Sequence, residues 1–236
     1  MRLKIPDRNC HSVERTTDAA DEAWREITSF IATTDVTVTI RTPSPAATTA
    51  ETLGLSPHTY LGAIARHSAG LTIGSGWLRI LGGSSDDGLP GLDEANASAT
   101  GLLVVAYDVL GGVFALDGGA LGVGDGTVHH FSVDTLKWQN LELGYSDFVW
   151  AMLGGAADRF YEPLRWAGWE NEVARVLPSQ GLALYPFPSS VQGQDVAAST
   201  KRAVPFTELI DFHNDFARQI NGNRSAPAIP FPQPLA

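Results

Sequence analysis

The chain has 236 residues, of which 44% are hydrophobic and 18% are charged. This composition supports one sizeable hydrophobic core and is unlike that of a disordered chain. Its 16 Lys and Arg residues against 26 Asp and Glu residues give a net charge of −10. Because phosphate backbones and anionic lipid headgroups repel such a chain, we expect neither nucleic acid nor a membrane as its partner.

Cysteine usage and targeting signals bear on the compartment. The single cysteine, Cys10, cannot form an internal disulfide or a thiolate zinc cluster, which is typical of a reducing compartment. The polar segment 1–20 has no apolar stretch of the kind found in signal peptides, and no apolar run is long enough to span a bilayer. The sequence therefore predicts a soluble, cytoplasmic protein.

Hydrophobic patterning predicts the strands. The alternation of Val and Thr over 36–41 is typical of a half-buried strand, and the continuous apolar run at 102–107 is typical of a central strand buried on both faces. A turn is expected at 134–135. The predicted strands are 36–41, 77–81, 102–107, 113–116, 128–132 and 182–185.

Apolar residues at helical spacing predict the helices. The segment 42–56 is expected to be a loop or a short helix, and the break at 68–70 favours a hairpin over a helix for 61–73. The predicted helices are 21–33, 145–153 with Ser146 as its cap, 160–177, and a last one that begins at Pro205 and ends at Asn221–Gly222.

No internal repeat or break in composition divides the chain. The segment 82–100 is the clearest predicted surface loop, and a connection of this length is expected to be functional, mobile or both. We expect a polar N-terminal segment over 1–20, a single α+β domain over 21–222 and a proline-rich tail over 223–236. The tail is expected to be extended and to become ordered only against a partner surface.

The charge is concentrated in the middle of the sequence. Between Gly82 and Glu162 there are twelve acidic residues and two basic ones, Lys137 and Arg159, so this segment carries the whole net charge of −10. A negative surface can steer a basic protein partner, or it can serve solubility alone.

Motifs for small-molecule chemistry are weak. The glycine-rich stretch 118–126 precedes a strand pattern rather than a helix, which argues against a phosphate-binding loop. His129 and His130 are adjacent on a predicted strand, so they point to opposite faces and cannot easily bind one metal ion. One is expected to face the core and the other solvent. No cofactor, metal site or catalytic residue is assigned.

Recognition chemistry is denser around Arg165. Tyr161, Arg165 and Trp169 are spaced by four residues, and an arginine over an aromatic ring favours a cation–π contact. Trp, Tyr and Arg are enriched at interface hot spots, although tryptophans that attach this segment to the sheet would give the same pattern.

Several short sequence motifs resemble those of a bacterial family that is catalogued as a domain of unknown function. The resemblance covers roughly residues 24–220, and Asp117 stands where the family motif is expected to have Asn. If this side chain caps a turn, the exchange is harmless; if it binds something, a different ligand is expected. The motifs are WLRILG at 77–82, GGVFALDGG at 111–119, LGYS at 143–146, FYEPLRWAGWE at 160–170, QG at 180–181 and YPF at 185–187.

The order of the middle section is also similar, more loosely, to the SUKH superfamily. A Gly-rich connection precedes a strand–turn passage over 128–141 and a helix over 146–153. The resemblance implies an α+β fold with one twisted, mostly antiparallel sheet flanked by helices. It further implies a non-enzymatic binding protein, of the kind that includes immunity proteins against bacterial toxins, and no catalytic residues.

The sequence thus favours a non-enzymatic protein-binding module, of the immunity type, that binds a basic toxin through an acidic surface. The alternative is a metal- or metabolite-binding enzyme that uses His129 or His130 with nearby aspartates. The oligomeric state is left open. The predicted partner-binding residues are Asp86, Asp87, Asp93, Asp108, Asp117, Asp125, Tyr145, Arg165, Trp166 and Trp169.

Overall fold

A seven-stranded antiparallel sheet forms the centre of the fold in the computed structural model, which describes residues 21–221 and 227–232. Each strand of this sheet pairs with the next strand in sequence, and a separate two-stranded sheet, β8–β9, follows. The strands are β1 (Val38–Ile40), β2 (Gly70–Ile73), β3 (Leu78–Leu81), β4 (Leu102–Asp108), β5 (Val113–Asp117), β6 (Val128–Ser132), β7 (Lys137–Asn140), β8 (Gln180–Tyr185) and β9 (Thr200–Pro205).

Helices flank the sheet, so the predicted α+β class is confirmed. Two 3₁₀ turns, Glu162–Leu164 and Val191–Gly193, complete the elements of the described residues. The helices are α1 (Glu22–Ile31), α2 (Thr49–Thr52), α3 (Tyr60–His67), α4 (Leu92–Ala95), α5 (Tyr145–Leu153), α6 (Ala156–Tyr161), α7 (Trp169–Val173) and α8 (Phe206–Asn221).

Both faces of the central sheet are covered, which explains why β4 is apolar along its length. On one face, the ring of Phe114 packs against Phe148 of α5 and Phe160 of α6. On the other face, Tyr107 packs against Phe206 of α8. The C-terminal part of the chain therefore covers the face opposite to α5 and α6.

The described part of the proline-rich tail lies on this second face. The Tyr107 hydroxyl donates to the Pro230 carbonyl (3.1 Å), and the Asn214 side chain exchanges two hydrogen bonds with the backbone of Ile229. Ile229 is buried. Residues 227–232 thus find the surface that orders them on their own chain; the rest of the tail and segment 1–20 lie outside the described residues.

The hairpin predicted over 61–73 is wrong, because its first half is helix α3 and only its second half is strand β2. The Thr59 hydroxyl accepts a hydrogen bond from the Gly62 N–H (3.1 Å) and caps this helix. Gly70 has a φ of 115°, a conformation that favours glycine, where the chain enters β2. The break at 68–70 therefore separates a helix from a strand.

The continuous helix predicted over 160–177 is also wrong. Helix α6 ends at Tyr161, and Pro163 follows in a 3₁₀ turn, since proline has no N–H to continue a helical ladder. Gly168, with a φ of 80°, then precedes the short helix α7. Ser146 does not cap α5, because Gly144 holds the N-cap position and Ser146 lies inside the helix.

Three further differences concern exposed or mixed segments. Strands β7 and β9 were not predicted, since most of their residues are exposed and show no hydrophobic period. The predicted surface loop 82–100 contains helix α4, and Leu89, Leu92 and Ala95 are buried.

Candidate functional site

The topology of the sheet gathers exposed acidic residues at one end. Because the strands are antiparallel and consecutive, the connections 82–101, 118–127 and 141–144 all lie where β3, β5 and β7 end. None of these three connections contains Lys or Arg; the fourth connection at this end, 41–69, contains Arg41, which pairs with Asp87, and Arg66, which pairs with Glu51. We call this surface the acidic end; its exposed acidic residues are Asp86, Asp87, Glu94, Asp125 and Glu142.

Two of its connections are joined by the backbone. The N–H groups of Gly118 and Ala120 both donate to the Gly101 carbonyl, at 2.9 and 3.1 Å. The exposed turn that carries Asp125 is therefore held beside the start of β4, next to the 82–101 connection.

Asp117 organises the glycine-rich turn from within. Its side chain is fully buried and accepts backbone N–H groups from four residues of the turn, at distances of 2.8 to 3.2 Å. Burial raises the pKa of Asp117, but these four bonds outweigh it and lower the pKa to about 2. The side chain caps a turn rather than facing a partner. The donors are Gly119, Leu121, Val123 and Gly124.

The other predicted acidic residues of this region divide into exposed and engaged ones. Asp86 and Asp125 are exposed. Asp87 binds the guanidinium of Arg41 through both carboxylate oxygens, at 2.9 and 2.5 Å. Asp93, half-buried, accepts a hydrogen bond from the Thr49 hydroxyl (2.9 Å). Asp125 accepts hydrogen bonds from the Thr127 N–H (2.9 Å) and hydroxyl (2.6 Å). Asp86 and Asp125 are therefore the two that are exposed and also free of side-chain ion pairs within the described part of the chain.

Asp108 and His130 lie together in the core, and neither is exposed enough to contact a partner. Asp108 Oδ1 accepts the N–H groups of Leu110 and Gly112 (both 2.9 Å), while its Oδ2 lies 3.8 Å from His130 Nε2. Burial, and then the charge of Asp108, raises the pKa of the neighbouring Tyr161. Asp108 is 1% exposed.

Both histidines of the adjacent pair are buried, so the expectation that one would face solvent is wrong. His130 stacks on Phe114, with 4.5 Å between ring centroids, and His129 Nδ1 lies 3.3 Å from the Thr127 carbonyl oxygen. Among the described residues, no group of three or more His, Cys, Asp and Glu side chains is arranged to hold a metal ion.

Arg165 makes the predicted cation–π contacts, although no continuous helix connects their partners. Its guanidinium carbon lies 4.0 Å from the ring centroid of Trp169 and 5.8 Å from that of Tyr161. It also lies 5.2 Å from the ring of Trp77, which precedes β3. Trp166, also predicted as an anchor, is buried against Trp77. The cluster thus attaches the α6–α7 segment to the sheet, as the packing interpretation predicts.

Tyr145 is buried at the start of α5, and burial raises the pKa of its hydroxyl. The ten predicted site residues therefore do not form one surface. The structure brings Asp86, Asp87, Asp93, Asp117 and Asp125 to the acidic end and places Asp108, Tyr145, Arg165, Trp166 and Trp169 in or against the core.

Sequence reasoning missed a second polar site, a cavity of about 400 Å³ next to β1. Arg41 and Arg79 line it, and both are buried. The available signal was Arg79 itself, a charged residue within the apolar run Leu78–Leu81. A charge is almost never fully buried without a partner or a function.

No helix in the described part of the chain is both long and apolar enough to cross a membrane.

Comparison with known proteins places the chain in a bacterial context. It is 37% identical over 153 residues to the uncharacterized protein YbfG of Escherichia coli, covering 63% of this chain and 69% of YbfG. It is 31% identical over 185 residues to an uncharacterized protein of Haemophilus influenzae, covering 74% and 81% of the two chains. No solved structure matches, so the similarity to the SUKH superfamily stays a prediction.

The family resemblance is confirmed at the level of the whole domain. The match to the family described as protein of unknown function DUF2625 spans residues 13–209, which includes every strand of both sheets and the start of α8. The chain belongs to the DUF2625 family.

Proposed function

We propose that this protein is a cytoplasmic, non-enzymatic protein-binding module that binds a basic protein through its acidic end. One observation carries the proposal: three of the four connections that the antiparallel topology brings to this end of the sheet contain no Lys or Arg, and in the fourth, 41–69, Arg41 and Arg66 are paired with Asp87 and Glu51. A predominantly negative surface of this kind raises the rate at which an oppositely charged protein associates and lowers affinity for acidic competitors.

The set of acidic residues that we propose to contact the partner is smaller than the set predicted from the sequence. Asp86 and Asp125 are exposed, and Asp125 accepts a hydrogen bond from the Thr127 hydroxyl, whereas Asp87 is paired with Arg41 and Asp93 is half-buried. Charge at Asp86 and Asp125 is therefore available to a partner without breaking an internal contact to a cation. An immunity-type role, in which the acidic end covers the basic surface of a toxin, is the specific form that this chemistry favours.

The enzyme alternative gains no comparable support. His130 does lie beside Asp108, but both side chains are buried, and His130 is enclosed by the aromatic rings of Phe114 and Phe160. A substrate would have to displace core side chains to reach them.

The test compares two charge reversals of equal size. Asp86→Lys/Asp125→Lys changes the acidic end, and Asp35→Lys/Glu172→Lys changes two exposed acidic residues elsewhere. Each variant is used to capture proteins from bacterial lysate at low and moderate salt, and association rates are measured with each captured partner.

We expect the wild type and the control variant to capture the same basic partner. At low salt, this partner should associate with Asp86→Lys/Asp125→Lys about tenfold or more slowly than with the wild type. The difference should shrink as salt rises, because screening weakens interactions between exposed charges. Equal association of both double variants, or capture of acidic partners only, contradicts the proposal.

A further inference from the structure

The cavity next to β1 is built on a polar patch of the central sheet. Thr39, Thr72 and Arg79 are paired directly across β1, β2 and β3, so their side chains share one face. Val173 and Val176 also line the cavity. The volume of about 400 Å³ lies within the range of small-molecule sites.

Arg79 is a buried cation without an acidic partner. Its Nη1 donates to the carbonyl oxygens of Pro178 (2.9 Å) and Gln180 (2.6 Å), and its Nε donates to that of Gly76 (3.3 Å). All three acceptors are neutral, and none of the bonds uses Nη2. No carboxylate among the described residues lies within ion-pair distance of this guanidinium, which is 3% exposed. A buried charge in this state is costly, and an anion in the cavity would compensate it.

The second arginine, Arg41, makes the net charge of the cavity lining positive. Arg41 is neutralised by Asp87, the one carboxylate in the lining, so two arginines face a single negative charge. Burial, and secondarily the charge of Arg41, lowers the pKa of Arg79 to about 10, which still leaves it protonated at neutral pH. The cavity therefore favours an anion although the whole chain carries a net charge of −10.

Hydroxyl groups supply further donors in the lining. Thr37, Thr39, Thr72 and Ser75 all contribute to the cavity, and none of their hydroxyls hydrogen-bonds to another described residue. Polar groups that converge on a cavity with apolar walls are typical of sites that orient a small ligand.

We propose that this cavity binds a small organic anion through a phosphate or carboxylate group that pairs with the guanidinium of Arg79. Because Nε and Nη1 of Arg79 already donate to carbonyl oxygens, Nη2 donates to either oxyanion group, and the threonine hydroxyls contact the remaining polar atoms of the ligand. Asp87 competes with the ligand, because its carboxylate already occupies Arg41. This site shares Asp87 with the acidic end but uses neither Asp86 nor Asp125, so either proposal stands if the other fails.

Isothermal titration calorimetry on the full chain tests the site with glycerol 3-phosphate and citrate as probes. The two probes distinguish the phosphate and carboxylate sources, and sodium chloride at matched ionic strength corrects for screening. The variants are Arg79→Gln, Thr39→Val and Asp87→Asn. Arg159→Gln, which removes an exposed arginine outside the cavity, is the matched control.

We expect Arg79→Gln to weaken binding of at least one probe by about tenfold or more, and Thr39→Val by about threefold. Asp87→Asn should tighten it by about threefold or more, because the cavity gains a net positive charge. Arg159→Gln should bind as the wild type does. The opposite signs for Arg79 and Asp87 separate the loss of a contact from a general loss of stability.

If the wild type binds neither probe at concentrations up to about 10 mM, the proposal is overturned. A paired oxyanion is expected to bind with a Kd below this concentration. Unchanged or weaker binding by a folded Asp87→Asn overturns it as well. If Arg79→Gln does not fold, Thr39→Val and Asp87→Asn decide the outcome.

Discussion

Replacing Asp117 by Ala tests the claim that this side chain organises the glycine-rich turn. The carboxylate accepts four backbone N–H groups, and hydrogen bonds to a charged group contribute about 1.5–3 kcal/mol each when they are buried. Residues 122–126 are exposed, so water replaces part of what is lost. We therefore expect Asp117→Ala to lower the free energy of unfolding by about 2–4 kcal/mol, well below the sum of four buried bonds.

Urea unfolding, followed by tryptophan fluorescence and far-UV circular dichroism, measures this change. Asp86→Ala is the matched control, because Asp86 is exposed and should alter stability by less than about 0.5 kcal/mol. Asp117→Asn should lie between them, since Asn keeps one oxygen for one pair of donors. Equal stability of Asp117→Ala and Asp86→Ala would refute the reasoning.

The low pKa of Asp117 adds a dependence on pH. Its folded-state pKa of about 2 lies below the ordinary value of 3.8, so its contribution to stability is complete above pH 3.8. That contribution is lost as the pH falls towards 2. Asp117→Ala should therefore flatten the stability profile in this acidic window.

Two further predictions concern the core. Gly112→Ala should lower the free energy of unfolding by about 3 kcal/mol or prevent folding, because the added Cβ overlaps Oδ2 of Asp108; a urea midpoint equal to the wild type's would contradict this. Burial lowers the pKa of His213 against the opposing effect of its contact with the Leu110 carbonyl, so its contribution to stability is present above pH 6.5 and declines as the pH falls below it. His213→Gln should reduce the fall in stability between pH 7 and pH 5, measured by urea unfolding; an unchanged fall would contradict this.

Most of the sheet could be predicted from hydrophobic patterning. Strands β3 to β6 agree with the prediction because buried strands have apolar residues on one or both faces. Strands β7 and β9 could not be predicted, since backbone pairing determines them and most of their side chains face solvent. The break in the 160–177 segment was visible as Pro163 and Gly168 but was outweighed by the spacing of aromatic residues.

The acidic end was partly predictable. Counting charges located the acidic segment, but it could not separate the exposed Asp86 and Asp125 from Asp117, whose carboxylate satisfies backbone donors. The cavity of Arg41 and Arg79 could not be found in this way. These residues are 38 positions apart, and the pairing of β1 and β3 with the two edges of β2 brings them to the same part of the sheet.

The order of strands in the central sheet also bears on how the chain can fold during synthesis. Every pairing joins strands that are consecutive in sequence, so each new strand finds its neighbour already in place. Residues up to Asn140 suffice to complete the hydrogen bonding of all seven strands. At Tyr107, the opposite face is covered by later residues, Phe206 and the segment 227–232. A nascent chain released from the ribosome before α8 would therefore present a paired sheet with one apolar face uncovered, which is the state most in need of a chaperone.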